Sequence, residues 1–178
     1  MLRSTLWRSW YFSVETPRAP CRLNAVLKWT NVYVYGLPNC TIQRLQILQN
    51  RAAKVVLKWK PRDSSTEALK LLHWLPIYFR IKFKIACIVF KCLNESDSPS
   101  YLQNMLCLKR TAYNTRSTDT EAKTLVVPVV KRKTFASRSF AIAGPIVWNE
   151  LPNNVRTIPT YNDFKRHLKA FYFTSAFY

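Results

Sequence analysis

The chain has 178 residues, 48% of them apolar and 14% aromatic, so it can bury a real core and is not disordered throughout. Two glycines, Gly36 and Gly144, stand against ten prolines, which excludes Gly-rich linkers, phosphate-cradling loops and dinucleotide fingerprints. A formal charge of +19, from 28 Lys and Arg against nine Asp and Glu, repels itself unless a polyanion neutralises it, and nucleic acid is the leading candidate.

Residues 1–30 show no clean periodicity and read as an irregular N-terminal segment. Arg3, Arg8, Arg18 and Arg22 superficially suit a mitochondrial transit peptide. The neighbouring Leu2, Leu6, Trp7, Trp10, Tyr11 and Phe12 suit the arbitrary start of a truncated reading frame equally well, and mitochondrial targeting is not expected.

From Thr41 the pattern sharpens. Leu45, Leu48, Ala52, Val55, Val56 and Trp59 recur at helical spacing before Pro61. They predict a helix over 41–58 that turns this stripe inward and Gln43, Asn50, Arg51, Lys54 and Lys58 outward. Ser64 with Glu67 is a capping-box pattern for a short helix to about Leu72. Pro76 breaks the chain, and 77–93 reads as a second long helix with Ile81, Ile85, Ile88, Val89 and Cys92 on its main apolar face. Phe83 and Phe90 lie on the far side, so this helix is apolar nearly all round and should be the most buried, with a narrow strip of Arg80, Lys84 and Lys91 left for solvent or ligand. Its apolar run over 85–90 stops at Lys91, far short of the roughly 20 residues that a membrane span needs.

Ser98 followed by Pro99 predicts a short helix through Leu106, and 109–124 reads as a polar loop. The β-branched stretch 125–130 suggests a strand, with a strand pair near 125–133. Two short helices follow over 134–143 and 145–151. Thr160 and Asp163 cap a last helix with Phe164, Leu168 and Phe171 inward and Lys165, Arg166 and Lys169 outward. The expected architecture is mainly α: a small multi-helix domain with at most a short β-hairpin. Its parts are the irregular segment 1–30, a helical subdomain 31–108, the polar loop 109–124 and a C-terminal strand plus helices over 125–173.

Ten blocks stand in order on this framework. They are Tyr35-Gly36-Leu37-Pro38, Leu45-Gln46 through Leu48-Gln49-Asn50-Arg51-Ala52-Ala53, Leu72-His73-Trp74-Leu75-Pro76, Arg80-Ile81-Lys82-Phe83-Lys84 and Phe90-Lys91-Cys92-Leu93-Asn94. Then come Pro99-Ser100-Tyr101-Leu102, Val127-Pro128, Phe140 to Ala143, Trp148-Asn149-Glu150-Leu151-Pro152 and Phe164-Lys165. In this order, over about 31–173, they resemble the region after the polymerase domain in jockey-superfamily reverse transcriptases of LINE-type non-LTR retrotransposons. The resemblance implies origin in a mobile element whose full-length protein copies RNA into DNA at a nicked target.

The family's chemistry does not transfer with the resemblance. Template-directed polymerisation needs two metal ions held by closely placed aspartates, whereas Asp63, Asp97, Asp119 and Asp163 are scattered, each where a turn or helix start wants it. The carboxylate and histidine cluster of the family's endonuclease is missing too. No catalytic residue, enzyme activity or cofactor is therefore expected. Nor is a metal site: Cys87 and Cys92 are five apart, Cys107 is remote, and His73 and His167 complete no zinc spacing. With Cys21 and Cys40 they read as free thiols in a reducing compartment, nuclear or cytoplasmic. His73-Trp74 and Trp148 read as corner and core packing rather than as catalytic or base-stacking groups.

The basic stripes remain. A charged stripe is usually a solvated helix face, but here three helices carry basic faces with almost no acid among them. The candidates for contact with an RNA or DNA backbone are Arg51, Lys54, Lys58, Arg80, Lys84, Lys91, Lys131, Arg132, Lys133, Arg138, Lys165, Arg166 and Lys169. They would neutralise phosphates and release counterions with little sequence preference; Tyr113 and Tyr161 are candidates to stack on unpaired bases, though nothing in the sequence distinguishes them from ordinary surface residues. A rival expectation is a structural module that packs its apolar helices on the missing polymerase domain. A surviving RNA-directed DNA polymerase activity is the least favoured, and no membrane partner is expected.

Overall fold

Seven helices are present among the residues that the structure, a computed structural model, describes: 35–95, 98–109, 123–129 and 138–178. They are α1 (Asn39–Leu57), α2 (Ser65–Leu71), α3 (Ile77–Asn94), α4 (Ser100–Gln103), α5 (Phe140–Asn149), α6 (Asn153–Arg156) and α7 (Tyr161–Phe177). The fold is mainly α, as the periodicity predicts. The expectations for 1–30, most of 109–124, Cys21, Tyr113, Lys131, Arg132 and Lys133 lie outside the described residues.

The hub is α3. Ile77, Ile81, Ile85 and Val89 are buried on one side and Ala86 and Phe90 on the other, so α1, α4, α5 and α7 can all pack around it. Phe90 stacks on Phe164 of α7 with ring centroids 4.3 Å apart, and the buried Trp148 of α5 lies tilted against the same ring at 5.8 Å. Phe79 meets Tyr172 at 5.9 Å and Phe90 meets Tyr161 at 5.9 Å, so α7 runs antiparallel to α3 along most of its length. Leu125, Val147, Leu151, Val155 and Leu168 complete this core. A smaller cluster, Ala53, Ala68 and Leu69, joins α1 to α2, where Trp59 and Trp74 pack against it.

The helix over 41–58 is there, but rotated about its axis. Ile42 and Leu45 pack on the core and Gln49 and Ala53 are buried, whereas Leu48 is 47% exposed and Val55 71% exposed. Half of the predicted inward stripe, Leu48, Val55 and Val56, is thus exposed, while Leu45 and Trp59 pack inward. The reason is a polar demand from α3, whose N-cap, Pro76, has no side-chain cap to offer. Gln46 Oε1 accepts the Ile77 N–H at 2.9 Å, and Gln49 Nε2 donates to the Leu75 carbonyl at 2.8 Å. Backbone groups entering a core must be paired, and turning the two glutamines inward pairs them at the expense of exposing Leu48 and Val55.

Local capping agrees with expectation at α2 and α7. Ser64 Oγ accepts the Glu67 N–H at 3.4 Å, and Thr160 Oγ1 accepts the Asp163 N–H at 3.4 Å. At α4 it does not: the helix is only four residues long and starts after Pro99. Ser98 instead donates to the Glu95 carbonyl at 3.0 Å and accepts from Gln103 Nε2 at 2.6 Å. α6, which no periodicity announced, is a single turn after Pro152.

Two C-terminal expectations are corrected. The strand pair near 125–133 is, among the described residues, one isolated antiparallel bridge between Leu108 and Leu125. Side chains do the work of a second strand: Asn149 accepts the Leu125 N–H at 3.0 Å and donates to its carbonyl at 2.8 Å, and Trp148 Nε1 donates to the Lys123 carbonyl at 2.6 Å. The two helices expected on either side of Pro145 are one, α5, running through it. A mid-helix proline costs about 3 kcal/mol, but Gly144 before it has no Cβ to meet the ring, and Ile142, Ala143, Val147 and Trp148 are all buried by keeping the helix whole. Gly144 also admits α3: a Cβ there would lie 3.2 Å from Val89 Cγ2.

These packing differences set stability. Phe164→Ala, at the centre of the aromatic stack, should lower unfolding free energy by about 3–5 kcal/mol, and Val55→Ala, on the exposed face of α1, by no more than about 0.5 kcal/mol. Urea unfolding followed by circular dichroism measures both, and equal losses would contradict the rotation of α1.

Candidate nucleic-acid interface

Antiparallel packing of α7 on α3 builds a basic seam. Arg80, Lys84, Cys87 and Lys91 recur along one strip of α3, and Lys165 and Lys169 flank the buried Phe164 and Leu168 on α7. Arg80 lies close enough to Lys169 to repel its charge. The buried Cys87 thiol sits in the field of Lys165, Lys84 and Lys91. At the far end the Tyr161 ring has Lys91 Nζ 4.6 Å and Lys165 Nζ 4.3 Å from its centroid. Five of the predicted contact residues are thus gathered into one row. From Arg80 to Lys91 the row spans about 16 Å at 1.5 Å per residue, the axial rise of roughly five nucleotides of one B-form strand.

The seam keeps its cations partly out of water. Burial pulls the Arg80 guanidinium below its ordinary range. It pulls the Lys169 amine down to about 8, with repulsion from Arg80 as a second cause. A guanidinium keeps its proton to far higher pH than an amine, so in this pair the lysine gives way first. The Cys87 thiol is pushed up to about 12 by burial, against the lowering pull of the lysines and of the Tyr161 hydroxyl that hydrogen-bonds it. Lys91 also pairs with Glu95 at 3.5 Å, an exposed (i, i+4) contact worth only a few tenths of a kcal/mol.

The remaining candidates lie elsewhere. Arg166 faces away from α3 and is held by Asp163 at 2.7 Å. Arg51 is exposed on the outer face of α1. Lys54 donates to the Pro61 carbonyl at 2.7 Å, and Lys58 is the left-handed residue that ends α1, so both shape the turn into α2. Arg138 Nε donates to the Gly36 carbonyl at 3.1 Å, closing a tight turn where Gly36 has φ 72° and a Cβ would stand 2.8 Å from Arg138 Cγ. Lys169, expected to point outward, is half-buried, and Tyr161, expected to offer a free stacking face, has lysines over its ring.

Two basic residues outside the candidate set bear on this surface. Arg44 shares the outer face of α1 with Arg51, two helical turns away, a relation that the spacing alone contains. Lys82 leaves the strip, bonds Glu150 at 2.6 Å and sits 4.8 Å from the Tyr78 ring centroid. No local signal marks a partner 68 residues on. His73 is exposed at the left-handed end of α2, with Nδ1 2.8 Å from the Lys70 carbonyl and its ring edge-on to Phe173 at 5.5 Å, and Trp74 and Trp148 pack as expected.

Cys40, Cys87, Cys92 and Cys107 are free thiols. Among the described residues, no three His, Cys, Asp or Glu side chains converge as metal ligands, and no helix is long and apolar enough to cross a membrane. Compared with known proteins, the chain matches no family model, no curated protein and no solved structure.

The seam has a pH signature. Lys169 releases its proton at about 8 when folded and at an ordinary 10.5 when unfolded, so between those values the unfolded chain holds more protons and stability rises with pH. Cys87, raised from 9.0 to about 12, acts in the opposite sense above pH 9. Urea midpoints should therefore increase from pH 8 to 9, and Lys169→Met should remove that increase. An unchanged slope in the variant would place the titration elsewhere.

Proposed function

We propose that this chain is the non-catalytic tail of a LINE-type retrotransposon reverse transcriptase, and that it holds RNA or DNA by the phosphate backbone along the α3–α7 seam. The observation that carries the reading is the alignment of Arg80, Lys84, Lys91, Lys165 and Lys169 in a single row. Four of these belong to sequence blocks that resemble the retrotransposon family: Arg80, Lys84, Lys91 and Lys165. A row of cations attracts phosphates with little sequence preference, because contacts to the phosphate backbone carry no base information. Such a surface would grip template or target beside a polymerase domain that supplies the chemistry. The free thiols suit a nuclear or cytoplasmic setting.

The outer face of α1 favours a second role alongside the first. Ile47 is 50% exposed next to Leu48 and Val55, with Arg44 and Arg51 among them. An apolar face of this kind on a surface helix fits packing against another protein domain, the missing polymerase being the natural partner.

The nucleic-acid reading is tested by titrating the protein into a labelled oligonucleotide across a salt series. The logarithm of affinity should fall with the logarithm of salt with a slope of roughly −3.5 for a single strand to −4.5 for a duplex, for five phosphates neutralised. The double variant Lys84→Gln, Lys165→Gln should flatten that slope by roughly 2, whereas Lys58→Gln leaves it unchanged. Weak binding without salt dependence would overturn the reading. For α1, sedimentation should reveal concentration-dependent self-association that Leu48→Lys with Val55→Lys abolishes without altering the unfolding midpoint, and a monomeric wild type would remove that second role.

A further inference from the structure

We propose that the outer face of α1 is a docking surface for an acidic amphipathic helix of another protein, whose apolar side chains cover Ile47, Leu48 and Val55 while its carboxylates pair with Arg44 and Arg51. The inference rests on the protein-docking role of that face and names the chemistry of its partner.

The fold holds this face outward. Gln46 and Gln49 turn inward to pair the Ile77 amide and the Leu75 carbonyl, and Ala53 is buried in the small cluster with α2. Rotating α1 to hide its outer residues would orphan both backbone groups. What α1 presents is continuous: Arg44, Ile47, Leu48, Arg51 and Val55 recur at three- and four-residue steps on one side, and all are exposed. Single exposed apolar residues are ordinary, whereas this row is a ridge about 16 Å long, the kind that packs into the groove of a second helix.

Charge decides what covers it. α1 carries Arg44, Arg51 and Lys54 and no acidic residue. Of the three ion pairs among the described residues, none involves Arg44 or Arg51. A second copy would cover the apolar side chains but set arginines and a formal +19 against the same, so self-association is weak. A nucleic acid would neutralise the arginines and leave the apolar residues between them wet. A partner with apolar and acidic side chains on one face satisfies the whole row, and the spacing selects a helix. Arg44 and Arg51 stand about 10.5 Å apart along the axis. Carboxylates seven residues apart on a helix repeat that distance on one face, whereas those sharing a face of a strand lie about 7 or 13 Å apart. Exposed pairs of this sort set register and partner choice, and the apolar contact supplies most of the adhesion.

The test is fluorescence anisotropy of a labelled synthetic helix titrated with the full chain. One probe has leucines every three or four residues along one face and glutamates seven apart beside them. A second has lysine for each glutamate, and a third scrambles the first, keeping its charge and losing its face. The Glu peptide should bind at least about tenfold more tightly than the Lys peptide, and by a similar margin than the scrambled one, which samples only the general positive charge of the chain. Arg44→Glu with Arg51→Glu should reverse the preference between Glu and Lys peptides, whereas Lys84→Gln with Lys165→Gln, on the seam, leaves it unchanged. Leu48→Gln with Val55→Gln should lose the Glu peptide at an unaltered unfolding midpoint. Scrambled peptide bound as tightly as the Glu peptide would overturn the inference. Equal binding of Glu and Lys peptides, with self-association still abolished by Leu48→Lys with Val55→Lys, would overturn the acidic helix and leave the docking role standing. A monomeric wild type that binds no peptide would overturn both. Capture by vesicles of phosphatidylcholine with one-quarter phosphatidylserine, lost in Leu48→Gln with Val55→Gln and with no peptide bound, would assign the face to an anionic membrane and overturn the helix.

Discussion

The stacking of Phe90 on Phe164 fixes how α7 lies on α3, and most of the surface follows from it. An aromatic pair at 4.3 Å holds the two helices in one register. With Phe90 opposite Phe164, the antiparallel run brings Tyr161 to Lys91, Lys165 to Cys87 and Lys169 to Arg80. Separate helices would each carry a solvated basic stripe of little consequence. Docked, the stripes share one edge and lose part of their water, and the charges begin to act on each other.

That docking is a compromise between terms of comparable size. Each large apolar side chain buried in the core contributes about 1.5–3 kcal/mol, and the cluster of Phe90, Phe164, Trp148 and Ile85 outweighs the strain of holding like charges together. The same trade recurs on α1, where pairing the backbone at the start of α3 through Gln46 and Gln49 takes precedence over hiding Leu48 and Val55. It recurs in α5, where burial keeps a helix continuous through Pro145. In each case the tertiary term exceeds a local preference of about 1–3 kcal/mol.

What the sequence makes legible divides along the same line. α3 can be read because it is apolar on nearly every side, so almost any rotation buries it and the strip of Arg80, Lys84 and Lys91 is what remains. The caps at Ser64 and Thr160 are legible because three-residue patterns decide them. The face of α1 is not, since its inward residues include glutamines whose partners, Leu75 and Ile77, lie 26 and 31 residues away. The single bridge at Leu125 is hidden for the same reason: its backbone is satisfied by Asn149, an amide side chain that carries no strand signal. At the interface, the basic rows on α3 and α7 can each be seen in the sequence, but their meeting depends on a register that only the packed rings determine.

The borrowed cap at Ile77 has a kinetic side. A helix that supplies its own N-cap can begin alone, whereas the opening turn of α3 waits for an acceptor from a helix 31 residues upstream. Arg80 belongs to that turn, its amide bonded to the Pro76 carbonyl at 2.9 Å. The one arginine of the seam therefore sits on a turn whose first amide is satisfied only while α1 stays docked, so loosening α1 frays the seam at that end.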